Sequence, residues 1–124
     1  MNRPFANEEI LSRLAFIRNK RQEYLICLSL DVAGRIIRRR TVTIGLLDMS
    51  LAHPREVFAG PIKDHAASVI IAHNHPSGCV EPSGEDIKTT QQMAASGQIL
   101  GVRLLDHIIV AAEDHFSFRR SGML

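Results

Sequence analysis

The sequence predicts an α/β domain, a mixed β-sheet flanked by helices, on three observations. Apolar runs of strand length recur at 24–30, 67–72 and 102–110, the pattern of strands buried in a sheet. The stretches between them carry helical spacing and helix-start residues. A chain of 124 residues can enclose one core and is short for two, so residues 1–124 are expected to form a single domain with one site.

Taken in order, Asn7 can cap a first helix with Glu8 and Glu9 in its first turn, a stripe of Ile10, Leu11, Leu14 and Ile17, and Arg18, Lys20 and Arg21 near its end. Residues 24–30 then read as a strand, 31–34 as a turn and 35–44 as the second strand of a hairpin, its basic residues suiting an exposed face. From Ser50 to His65 the spacing is helical, with Pro54 suited to a first turn and Gly60-Pro61 expected to kink or shorten the helix. The buried run 67–72 leads into His73-Asn74-His75-Pro76, so both histidines fall at a strand end. Pro76, Gly78, Pro82 and Gly84 mark a loop, and Ser83 is placed to cap a helix through Ile87, Thr90 and Met93 toward Gly97. Asp86 falls in its first turns. A strand at 102–110, a turn at Glu113-Asp114 and a short strand at 116–118 complete the reading.

Composition narrows the functions. Apolar residues at 45% and charged residues at 23% argue against disorder. Fifteen basic against 13 acidic residues give a net charge of only +2, so no whole-molecule field marks a nucleic-acid binder. Cys27 and Cys79 lie far apart and form no CxxC pair, which suggests neither a disulfide framework nor a cysteine zinc knuckle and points to the cytoplasm. The opening MNRPFANEE lacks the pattern of a secretory leader, and no run approaches the roughly 18 apolar residues of a membrane span.

The chemistry is concentrated at His73, His75, Ser83 and Asp86. Residues i and i+2 of a strand share a face, so the two imidazoles can reach one atom while Asn74 points away. A helix start that returns Asp86 over the strand end supplies a third ligand, and three ligands leave zinc a fourth position open to water. Such a site favours hydrolysis, which needs a general base and a partner for the developing oxyanion.

The spacing His73-x-His75, seven residues, Ser83, two residues, Asp86 matches the JAMM metalloprotease pattern at all its fixed positions. With HNHPSG, EPSGED and LLDHIIV, the chain resembles the RadC branch of that group, most strongly from about residue 23 to 124. The resemblance implies the JAMM/MPN (cytidine-deaminase-like) architecture, one Zn2+ per chain on His73, His75 and Asp86, and hydrolysis of an amide or isopeptide bond in a peptide or protein substrate. It further implies Ser83 as the oxyanion partner and, as general base, a glutamate heading an upstream apolar strand. Glu23, before Tyr24-Leu25-Ile26, fits that place, and Glu56 is the second candidate. The sequence departs from the RadC pattern in carrying no helix-hairpin-helix region and in placing Gly60-Pro61 where continuous helix is usual.

Other readings of the same residues remain. Ser83 can act purely as an N-cap. Glu23 can be an ordinary strand-end carboxylate, and Cys79 could close a structural zinc site. Asp106-His107, inside an apolar strand, reads as a structural pair or as support for the metal site, while His53, His65 and His115 have no motif around them. Arg38-Arg39-Arg40 and Arg119-Arg120 could meet phosphates, making a DNA-repair-associated binding module or metal-dependent nuclease the alternative function. The basic hairpin strand could also pair with a substrate strand or a second protomer.

Overall fold

The structure, a computed structural model, describes residues 7–45 and 49–124; residues 1–6, which bear on the leader reading, lie outside them. Helix α1 (Glu8–Leu14) starts where Asn7 Oδ1 accepts the Ile10 N–H at 2.9 Å and passes into a 3-10 turn, Ala15–Ile17. The hairpin β1 (Tyr24–Leu30) and β2 (Ile36–Ile44) follows. Helix α2 (Pro54–Lys63), strand β3 (Ser68–Asn74), helix α3 (Gly84–Leu100), strand β4 (Arg103–Val110) and strand β5 (His115–Ser117) complete the order.

The strands form one mixed sheet in the order β2-β1-β3-β4-β5, the fold class the sequence predicts. Only β3 and β4 run parallel, joined by the α3 crossover; the other neighbours are antiparallel. Alternation along the central strands divides the core. Ile26, Leu28, Ile70 and Ala72 pack under Ile10, Leu14 and Ile17 of the N-terminal helix. Leu25, Cys27, Val69 and Ile71 pack on the other face with Val57 and Phe58 of α2 and Met93 of α3. Both faces are therefore covered, which is why β1 and β3 read as unbroken apolar runs.

The proline in α2 lies inside the helix, two residues from its end at Lys63. The chain then turns through His65 at φ 56°, the left-handed position usual after a helix. Immediately before that turn Asp64 accepts hydrogen bonds from Ser29 Oγ (2.9 Å) and Arg40 Nε (3.0 Å), tying the end of α2 to both hairpin strands. Arg40 above all holds the Asp64 carboxyl down at about 2. Burial pushes the neighbouring Cys27 thiol up to about 12, which leaves it an inert core residue.

Candidate metal centre

The centre lies where three elements meet at one end of the sheet. β3 brings in His73, 1% exposed, and His75 follows one residue beyond the strand, its N–H on Val110 O at 2.9 Å. Antiparallel pairing sets Leu25 of β1 opposite His73, so Glu23 arrives beside the same strand end. Ligand atoms of Glu23, His73 and His75 all lie within 4.8 Å of one another, a group that could hold a metal ion. Asp86, in the first turn of α3, brings Oδ1 to 3.3 Å from His73 Nε2 and Oδ2 to 3.2 Å from His75 Nε2. A capping box fixes that turn: Ser83 Oγ accepts the Asp86 N–H at 3.0 Å and Asp86 Oδ2 accepts the Ser83 N–H at 2.9 Å.

The hydrogen bonds decide where the imidazole protons sit. Cys79 O can only accept, so His75 Nδ1, 2.8 Å away, carries a proton. Thr90 Oγ1 donates to Asp86 O at 2.7 Å and thus accepts from His107 Nδ1 at 2.5 Å. His107 Nε2 is then a bare acceptor and takes the proton of His73 Nδ1 at 2.8 Å. In neutral rings, therefore, both Nε2 lone pairs point into the centre, 2.9 Å apart and facing the Asp86 carboxylate. Lone pairs and a carboxylate at such distances repel unless a cation sits among them. That cation is either one proton held on an imidazole or a metal ion.

The electrostatics agree. Burial resists the Asp86 charge, but a proton shared between the carboxylate and the facing His73 and His75 nitrogens outweighs it and holds the carboxyl far below the ordinary range. The Asp86 hydrogen bond likewise raises His75. Burial keeps His107 neutral, its pKa well below the usual histidine value, as an acceptor for His73 requires. Two nitrogens and a carboxylate oxygen around one point form the donor set that zinc accepts, and the residues present fit it.

A sequence profile described as the RadC-like JAB domain matches residues 5–123. The chain belongs to this family. RadC-like relatives include UPF0758 proteins of Methanospirillum hungatei, 47% identical over 92% of this chain and 51% of the relative, and of Bacillus licheniformis, 48% over 83% and 46%. A UPF0758 protein of Trichodesmium erythraeum is 50% identical over 80% of the chain and 41% of its own length. This RadC-like domain thus spans about half the length of the curated relatives it matches. Among its described residues no helix is long and apolar enough to cross a membrane.

Within this RadC-like domain His73, His75, Asp86, Ser83 and Glu23 come together. Glu56 is exposed in the first turn of α2 and takes no part in the His73–His75 group among the described residues. Cys79 meets His75 through its carbonyl, and its side chain is exposed. The side chains of Asp106 and His107 serve different places: Asp106 accepts Ser117 Oγ at 2.5 Å and the N–H groups of His107 (2.7 Å) and Arg119 (3.0 Å), while the His107 ring supports His73. The link through Thr90 is absent from the sequence reading. One signal was available, since Thr90 lies four residues after Asp86 and so on the same helix face.

Proposed function

We propose that this domain is a zinc-dependent hydrolase that cleaves an amide or isopeptide bond in a peptide or protein. The observation that carries the reading is the proton arrangement around His73 and His75: two bare Nε2 atoms and the Asp86 carboxylate converge with one cation's worth of charge to be filled. His73, His75 and Asp86 would hold the metal. When bound, zinc supplies Lewis acidity, polarising a carbonyl and making water a usable nucleophile near neutral pH.

The chain's own residues do the rest. Glu23 stands beside the histidines and takes the proton of the attacking water as its oxygen bonds to the carbonyl carbon. It returns that proton to the leaving nitrogen as the C–N bond breaks, giving a carboxylate and an amine. The Ser83 hydroxyl accepts the Asp86 N–H and still has its own proton to donate, so it can cap α3 and meet the developing oxyanion together.

Elemental mass spectrometry of protein purified without added metal tests the ligands. About one zinc per chain is expected in the wild type and little in His75→Ala or Asp86→Ala. Glu23→Gln is expected to keep the zinc and lose turnover of a fluorogenic isopeptide panel by at least a hundredfold. Wild type that neither carries nor gains zinc sinks the hydrolase reading, and full activity in Glu23→Gln sinks the assignment of the base alone.

A further inference from the structure

We propose that the hollow beside the metal centre, walled by Arg18, Lys20 and Arg21, receives acidic side chains of an extended peptide substrate next to the bond that is cut. This rests on the hydrolase reading above and adds a substrate class to it.

The hollow measures about 360 Å³ and is lined by those three cations together with Pro76, Gly78 and Ala112 among others, with no acidic residue among the described residues of its wall. Ion pairs among the described residues engage Arg35, Arg38, Arg40, His73 and His75, and none of these three. Arg18 Nη1 donates to carbonyl oxygens, Ala111 O at 2.7 Å and Asp114 O at 3.1 Å, and no carboxylate of the described residues lies within ion-pair distance of it. The Asp114 carboxylate accepts the N–H of His115. Basic residues on a surface are usually just solvated; three that make no ion pair among the described residues, gathered around a single hollow, give its wall a positive charge.

This hollow is also fixed in register with the metal centre. Asn74, between the two histidines and facing away from them, is fully buried and clamps the basic segment. Its Nδ2 donates to Lys20 O (3.3 Å) and Gln22 O (2.9 Å), and its Oδ1 accepts the Tyr24 N–H at 2.7 Å. On the opposite wall Pro76 directly follows His75, and Gly78, at φ 92°, returns its N–H to His75 O at 3.1 Å. Arg21 is two residues from Glu23, a chain distance of at most about 7 Å. A peptide crossing the sheet end would therefore place an acidic side chain here within about three residues of the cut bond.

A peptide suits the hollow better than a nucleic acid. Strand-tracking sites combine a long basic groove with open aromatic faces for base stacking. The neighbouring rings are already covered, Tyr24 by Lys20 Nζ at 5.8 Å and Phe16 by the Arg39 guanidinium at 4.4 Å, with Phe16 edge-on to Tyr24.

The test is fluorescence anisotropy on zinc-loaded protein with three labelled probes of equal length: alternating Glu-Gly, alternating Ser-Gly and oligothymidylate. The Glu-Gly peptide is expected to bind at least tenfold more tightly than the Ser-Gly peptide. Lys20→Glu with Arg21→Glu should remove that preference at unchanged zinc content. Arg103→Glu, at the far end of β4, should keep it. Equal binding of both peptides, or equal losses from all charge reversals, overturns the proposal, and tighter binding of oligothymidylate through Lys20 and Arg21 reassigns the hollow to nucleic acid. Zinc content is read in the same samples, so a subsite that fails on zinc-bearing protein leaves the hydrolase reading standing.

Discussion

The hydroxyl proton of Thr90, spent on the Asp86 carbonyl, determines which nitrogen of His107 faces His73, and through it which nitrogen of His73 faces the metal centre. A ligand histidine is held by the acceptor behind it, and removing such an acceptor commonly costs 10- to 100-fold in metal affinity. His107→Leu keeps bulk beneath the site but removes the acceptor, so zinc affinity is expected to fall by about that factor. His107→Gln retains a carbonyl oxygen that can accept the His73 proton and should recover most of it. Competition titration against a chromogenic chelator measures both; equal affinity in wild type and His107→Leu would show that His73 needs no support. Stacking of His107 on Phe118, with centroids 4.7 Å apart and planes within 7°, makes the folded fraction of each variant a necessary control.

At the scale of elements, helix α3 comes close at Gly97 to the turn into β4 and to Phe58 of α2, where an added Cβ would clash with Val102 O and lie 3.1 Å from Phe58 Cζ. Alanine is the better helix former by about 1 kcal/mol, yet the clash falls on backbone and on a buried ring. Gly97→Ala is expected to destabilise by about 1–3 kcal/mol, read as a lower urea midpoint; a higher midpoint would contradict the tight approach. The end of α2 depends on Asp64, whose folded pKa of about 2 lies below the ordinary carboxylate value of roughly 3.9. Its stabilisation is complete above the unfolded value and is lost as pH falls through the folded one. Asp64→Asn should therefore be clearly less stable than wild type at pH 7, with the gap narrowing from pH 4 downward; a gap independent of pH would mean the carboxylate charge is not what matters.

Elements also set the limit of what the sequence discloses. The strands follow from apolar runs of strand length, and the caps at Asn7 and Ser83 and the His73–His75 pair from start signals and the two-residue period of a strand. His107 does not, because a register shift in β4 lies between Leu104, opposite Val69, and Asp106, opposite Ile70. Strict alternation from Leu104, which faces α3, would send His107 to the α1 side; the bulge reverses the phase and turns it toward His73. The approach of Asp86 and Glu23 to the histidines is equally invisible to periodicity, since it depends on how a loop and a neighbouring strand end are placed in space. A motif match supplied what local pattern could not.

For the molecule as a whole, zinc that binds only the folded chain adds stability by mass action, about 2.7 kcal/mol at a free concentration 100 times the dissociation constant. Thermal scans should show the midpoint rising with free zinc, falling back with chelator, and unmoved by zinc in Asp86→Ala. A midpoint that ignores zinc in the wild type would mean the folded and unfolded chains hold it equally.

The Asn74 clamp bears on how the chain acquires this site. Its three hydrogen bonds join positions 50 to 54 residues apart, a separation whose loop-closure entropy must be met before the contacts reward it. The hairpin β1–β2 and the α3 start can organise locally, whereas the Lys20–Tyr24 segment reaches the end of β3 only once the sheet has closed. The basic hollow and Glu23 are thus carried to His73 and His75 by the same long-range contacts, and a chain without the Asn74 clamp would lose the placement of both together.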